Sequence, residues 1–212
     1  MELDSLNVKY ETEDFKNGDD NFLVKLGSLP VILSAPHAVS QKREGIIKPA
    51  DLKTGGIVEF ISEEINCFGI TRTCNLGDDP NFYNDGVSLK YKQEILRLIN
   101  KYQIKLLLDI HGCSNKHGFD IEIGTNDFKN VKVRECVFIV EKYLATIGIV
   151  SVDRVFKSAK EATVSSYVHA KSGISCIQIE ISNEIRMNAG KVKNFILVLE
   201  KAILEITERN LY

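Results

Sequence analysis

Three short apolar runs end on or carry side chains capable of chemistry, and this pattern constrains the chain more than any other feature. They are Val31 to His37 (VILSAPH), Lys105 to Gly112 (KLLLDIHG) and Ile174 to Ser182 (ISCIQIEIS). An apolar run of that length, bounded by turn residues, suits a strand buried on both faces of a mainly parallel sheet. In open α/β sheets, ligands bind beyond the carboxyl ends of the strands. His37, Asp109 and His111 are expected there, with Glu180 inside the third run. Two histidines and a glutamate at one rim of a sheet predict a metal site with a general base.

The rest of the chain alternates strand and helix signals. Residues 6–12 alternate apolar and polar, Asn17 to Asp20 form a turn signal, and 22–26 resumes a strand, which predicts an N-terminal edge hairpin. A strand at 31–34 leads into a long loop, 34–53, of the kind that is often functional. Ile57, Ile61, Ile65 and Phe68 fall at helical spacing, with Asp51 or Thr54 as N-cap and Gly69 as the stop. A strand at 70–74, a loop at 75–86, a helix over Leu89 to Tyr102 and a strand at 104–110 follow. Beyond a loop at 112–118, a strand at 119–123 is expected to have one solvated face. A helix at 130–147, a strand at 149–156, a short helix at 162–171, a strand at 174–182 and a helix at 191–208 complete the chain. This order predicts an α/β fold: a single three-layer α/β/α domain, 1–212, with a mostly parallel central sheet.

Composition narrows the function. Hydrophobic content of 44% and charged content of 26% allow a sizeable core and argue against disorder. Lys plus Arg number 27 against 29 Asp plus Glu, so the formal charge of -2 gives no bulk electrostatic case for nucleic acid or membrane. The five cysteines lack CxxC spacing and the acidic N-terminus lacks a signal pattern, so a reduced, cytoplasmic protein is expected. No phosphate loop, GxGxxG or GxSxG is present, which weakens nucleotide-binding and serine-hydrolase readings.

His37 and His111, each at the end of a core strand, are the candidate metal ligands, and Asp109 could orient His111. A catalytic zinc usually takes a third His, Asp or Glu ligand and keeps a position open. Asp51 is favoured for that role and Glu44 is the alternative. Glu180 inside an apolar run must be paired, hydrogen-bonded or metal-associated. It is either a general base or the partner of a cation such as Arg186. Arg186, with Arg43 and more weakly Arg72, is a candidate for gripping a substrate carboxylate. His117 and His169 carry no spacing argument.

Taken together, Ser34-Ala35-Pro36-His37, Arg43-Glu44-Gly45, Lys48-Pro49-Ala50-Asp51 with Thr54-Gly55, Asp109-Ile110-His111-Gly112, and Gln178 to Ser182 with Arg186 resemble the N-formylglutamate amidohydrolase family and its relatives of the zinc-dependent phosphorylase/hydrolase-like fold. The resemblance spans residues 34–186. It implies a zinc amidohydrolase with His37, Asp51 and His111 as ligands and Glu180 as base. The expected activity is cleavage of an amide C–N bond in a small carboxylated substrate, such as an N-formyl or other N-acyl amino acid. One Zn2+ per chain is expected, although mixed His/carboxylate ligation also suits manganese, cobalt or iron. A γ-glutamyl or cell-wall peptide amidase, or a non-catalytic metal- or ligand-binding protein, are the alternatives. The expected partner is a small molecule, with neither nucleic acid nor membrane.

Overall fold

The computed structural model describes Val8, Tyr10 and residues 21–212. Seven strands form its main sheet: β1 (Phe22–Lys25), β2 (Leu29–Ala35), β5 (Cys67–Arg72), β6 (Leu106–Cys113), β7 (Ile121–Gly124), β8 (Val150–Val152) and β9 (Ser175–Ser182). Two more, β3 (Gln41–Arg43) and β4 (Ile46–Lys48), form a separate antiparallel hairpin. The helices are α1 (Thr54–Glu64), α2 (Gly86–Tyr102), α3 (Arg134–Leu144), α4 (Val164–Ser172), the short α5 (Asn183–Met187) and α6 (Ala189–Glu208).

The sheet order is β1-β5-β2-β6-β9-β7-β8. β5, β2, β6 and β9 run parallel, β1 is an antiparallel edge, and β7 and β8 run parallel to each other but against β9. The chain moves outward from β2 to β5, then returns past β2 to lay down β6. The sheet therefore reverses its winding between β2 and β6, and a crevice opens at their carboxyl ends.

Apolar periodicity accounts for the layers. Val31, Leu33, Leu106, Leu108, Ile177 and Ile179 point to the face covered by α1, α3 and α6. Helix α6 buries Val192, Phe195, Ile196, Leu199, Ala202, Ile203 and Ile206, one stripe at helical spacing. The Asn188 side chain caps it, accepting from the N–H groups of Gly190 and Lys191. Ile32, Leu107 and Cys176 point to the other face, against Tyr91, Ile95 and Leu98 of α2 and Val164 and Val168 of α4. All five cysteines are free and buried.

Several local expectations change. The 6–12 strand and the 17–20 turn lie outside the described residues, except that Val8 and Tyr10 have helical backbone. Helix α1 ends at Glu64, so Phe68 and Gly69 belong to β5. Asn66 makes the turn with a left-handed backbone (φ 54°), and Gly69 is bare because a Cβ there would sit 2.5 Å from Ser62 Oγ. Strand β7 is buried throughout, without a solvated face. Its Glu122 side chain is enclosed and accepts from the N–H groups of Arg154, Val155 and Phe156 at 2.5, 2.5 and 3.2 Å. The long loop 34–53 is partly ordered, since it contains the β3–β4 hairpin. Among the described residues, no helix is long and apolar enough to cross a membrane.

Candidate metal centre

The face that packs on α2 and α4 turns polar toward the carboxyl end of the sheet. In β6, Asp109 and His111 follow Leu107 on that face. The register aligns Ser34 with Asp109, Asp109 with Gln178, and His111 with Glu180. Parallel partners share a face, so one strip of neighbouring strands presents the imidazole, two carboxylates and a carboxamide. His37 joins them from the loop just beyond β2.

The two imidazoles meet at the crevice. Their Nδ1 atoms are 3.2 Å apart, and the Asp51 Oδ2 atom is 3.3 Å from His37 Nδ1 and 3.7 Å from His111 Nδ1. Each Nε2 faces a buried carboxylate: His37 meets Asp79 and His111 meets Asp109, both at 2.9 Å. With each Nε2–H donated to an acid, both Nδ1 lone pairs aim at a common point beside the Asp51 oxygen. One ligand atom from each of His37, Asp51 and His111 can be chosen so that all lie within 4.8 Å of one another. Two neutral imidazoles and one carboxylate form a donor set that fits a divalent metal with an open position.

Asp51 is rigidly held two residues before Lys53, which caps α1 with a left-handed backbone (φ 73°). Its N–H donates to His37 O and its carbonyl accepts from both Thr54 N–H and the Thr54 hydroxyl. Gly112 N–H donates to Oδ2 at 3.0 Å. Asp51 is thus neither the N-cap nor the first helical residue. Glu44, the alternative ligand, sits exposed at the tip of the β3–β4 hairpin with φ 52° and is outside this cluster.

Arg186 does not reach the crevice as a substrate clamp. The guanidinium is buried under Gly112 and donates to the carbonyls of Leu52, Ile181 and Cys113 at 2.6, 3.0 and 3.4 Å. A Cβ on residue 112 would lie 2.5 Å from its Cζ. Arg186 therefore anchors the backbone next to Asp51, and no ion pair joins it to Glu180. Arg43 does line the crevice, but its Nε and Nη2 both donate to Asp79 Oδ2, at 2.8 and 2.6 Å. Arg72 is enclosed against Asp78 and Cys74 O. His117 stacks on Phe119, and His169 Nδ1 lies 2.7 Å from Ile174 O; neither belongs to the site.

Glu180 is 6% exposed and accepts from Gln178 Nε2 at 2.9 Å. Burial pushes its carboxyl up to about 7; the imidazoles of His111 and His37 oppose this, and the Asp51 charge adds to it. Burial alone would push His37 down, yet hydrogen bonds to Asp51 and Asp79 outweigh it and hold the ring at about 9. Burial also acts against Asp51 and Asp79, but the imidazoles keep both well below the usual carboxylate range. Asp109 and Asp51 likewise favour the charged form of His111 over the effect of burial. With the two Nδ1 atoms 3.2 Å apart, protonation of either ring lets it donate to the other.

A bound metal must displace a proton held at either Nδ1. Zinc affinity is therefore expected to fall about tenfold per unit of pH below about 9. Chelator competition at pH 6, 7 and 8 measures this, and a flat profile would show that the pair is neutral before metal binds. The stability of chelated protein runs the other way. The His37 pKa is raised on folding, so its contribution is complete below 6.5 and disappears as pH rises through about 9.

Sequence reasoning missed Asp79 and the supporting role of Gln178. Asp79 lies in an Asn- and Asp-rich stretch, where nothing local separates it from Asp78. The neighbour is instead bound to Arg72 and Ser88. Gln178 was legible in principle, because it lies two residues before Glu180 in a strand and so shares its face.

Around the centre lies a cavity of about 710 Å3. The hairpin and residues 81–82 form one wall, and residues 155–160 with Thr163 form the other. No protein-family model matches the chain, and no curated protein matches it. Solved structures do. N-formylglutamate amidohydrolase from Ralstonia eutropha superposes over 89% of this chain and 97% of its own, with a TM-score of 0.64 and 14% identity. The chain has the fold of that amidohydrolase. A bacteriophage poly-gamma-glutamate hydrolase matches over 90% of this chain and 91% of its own, with a TM-score of 0.54 and 13% identity. The zinc-free apo form of YNDL matches over 89% and 91%, with a TM-score of 0.54 and 15% identity.

Proposed function

We propose that this protein is a zinc-dependent amidohydrolase that cleaves the C–N bond of a small carboxylated amide, such as an N-formyl or other N-acyl amino acid. The observation that carries the reading is the convergence of two Nδ1 atoms and the Asp51 carboxylate in a crevice that also contains a buried, readily protonated Glu180. The shared fold supports it.

His37, His111 and Asp51 would hold the metal, and Asp79 and Asp109 fix the tautomer of each imidazole. When bound, the metal would supply Lewis-acid polarisation of the scissile carbonyl and make water acidic enough to attack near neutral pH. Glu180 takes a proton from the attacking water and returns it to the leaving nitrogen, so that amide plus water give acid plus amine. Its pKa of about 7 suits both halves of that transfer. Gln178 orients it through Oε1.

The walls supply the preference for an anion. Arg43, Lys48, Lys157 and Lys160 line the cavity, whereas among the described residues its acids are Asp51 and Glu180. Arg43, which lines the cavity, takes the substrate carboxylate in place of Arg186. The cavity exceeds what one amino acid fills, which favours γ-glutamyl or cell-wall peptide amides as the second reading. The five free thiols support a reducing compartment such as the cytoplasm.

The reading is tested by elemental mass spectrometry of the purified protein, followed by assay of the zinc-loaded enzyme on N-formyl amino acids, N-acetyl amino acids and γ-glutamyl peptides. About one zinc per chain is expected, together with amine release fastest from carboxylated substrates. Zinc without hydrolysis of any amide would make the site a non-catalytic metal-binding one. No metal after reconstitution would overturn the site itself.

A further inference from the structure

Lys92 is a buried cation that the metal centre does not use. It projects from α2 with no exposed surface, and its Nζ donates to Tyr83 O, Asn84 Oδ1 and Ala162 O at 2.6, 2.6 and 2.9 Å. An ammonium has three donors, so each is matched. Such a charge is tolerated in an interior only when it is satisfied in this way. Burial lowers its pKa to about 8, with Asp79 and Asp109 acting in the opposite direction, so it remains charged at neutral pH.

The three acceptors belong to two separate chain segments that line the cavity nearby. Tyr83 and Asn84 continue the wall that carries Asn81 and Phe82, while Ala162 ends the wall formed by residues 155–160. Two other contacts cross the same gap. Val164 N–H donates to Asn81 Oδ1 at 2.7 Å, and Lys160 Nζ lies 5.5 Å from the centroid of the Phe82 ring. The first wall also reaches the hairpin, because Glu44 N–H donates to the Tyr83 hydroxyl. The Asp79 carboxylate has restraints that Lys92 does not supply, the Asn81 N–H and Arg43.

We propose that Lys92 is a positioning residue which, with Asn81, braces the two walls of the cavity and sets its width. Its effect on substrate rests on the amidohydrolase reading; the brace itself does not. A gap that is set correctly places the scissile bond against the metal centre, and small misplacements of a substrate are costly.

Lys92→Met keeps the length and removes the donors. By hydrogen exchange, the amides of residues 158–164 are expected to exchange at least about tenfold faster in this variant, with those of α1 unchanged. In the zinc-loaded enzyme, KM is expected to rise about tenfold, with kcat and zinc affinity within about threefold of wild type. Asn81→Ala, which removes one cross-link and leaves the buried charge alone, should shift both readouts in the same direction and covers the case in which Lys92→Met does not fold. Unchanged exchange at residues 158–164 in Asn81→Ala and in any folded Lys92→Met would overturn the brace. Faster exchange with an unchanged KM would overturn its role in seating substrate. Faster exchange in a protein that hydrolyses no amide would uphold the brace and reject the amidohydrolase reading.

Discussion

Glu180→Gln is expected to reduce amide hydrolysis by about a thousandfold while leaving about one zinc per chain, since positioned acid–base groups contribute on the order of 10²–10⁴ in rate. The amide of Gln is nearly the size of the carboxyl and can still pair with Gln178, but it cannot take a proton from water. Zinc retention follows from the geometry, because Glu180 is outside the cluster of His37, Asp51 and His111. Misfolding can be separated from lost chemistry. The folded Glu180 pKa is raised from 4.5 to about 7, so the carboxyl's relative contribution to stability is complete below 4.5 and is lost as pH rises through about 7. The Gln variant should therefore melt no lower than wild type at pH 8. Steady-state kinetics, metal content and thermal melting on one preparation make the test. A rate within tenfold of wild type would remove Glu180 from the mechanism.

His111→Ala has the other large effect. It removes one of the two Nδ1 donors and leaves Asp109 buried with neither oxygen paired, since its Oδ1 already lacks a partner. Loss of an outer partner of a metal-bound histidine typically weakens binding about 10–100-fold, so loss of the histidine itself should cost more than about 100-fold. Asp109→Asn and Asp79→Asn are expected within that smaller range. The gradient separates ligands from the acids that orient them. Titration with zinc against a competing chelator measures all three, and equal affinities for His111→Ala and wild type would show that the metal is held elsewhere.

Both effects follow from how burial is managed in this crevice. An isolated buried carboxylate is unstable as a charge. Here Asp51, Asp79 and Asp109 each face an imidazole, whereas the Glu180 carboxylate is hydrogen-bonded to a carboxamide. The first arrangement holds Asp51 and Asp79 as anions, and the second leaves Glu180 able to take up a proton near neutral pH. One strip of sheet thus contains groups for holding a cation and a group for moving a proton.

Much of this was legible from one dimension of the chain. The runs ending in His37 and His111, and the one enclosing Glu180, are local patterns, and strand geometry carries local patterns directly into space. Alternation puts Asp109 and His111 on one face, and Gln178 and Glu180 on the corresponding face of β9. The apolar stripe of α6 likewise fixes which side meets the sheet. Long-range choices were not legible. Asp79 and Asp78 are adjacent, of one type and in one loop, yet one orients His37 and the other pairs with Arg72. Arg186 reads as a surface cation free to grip substrate until the fold places three carbonyls around it under Gly112. Nothing local separates Lys92 from the other lysines of α2, yet Tyr83, Asn84 and Ala162 converge on it. Sequence periodicity determines the face on which a side chain lies. The partner it meets there depends on how distant backbone segments pack, and a buried charge is accepted only where those segments supply its hydrogen bonds.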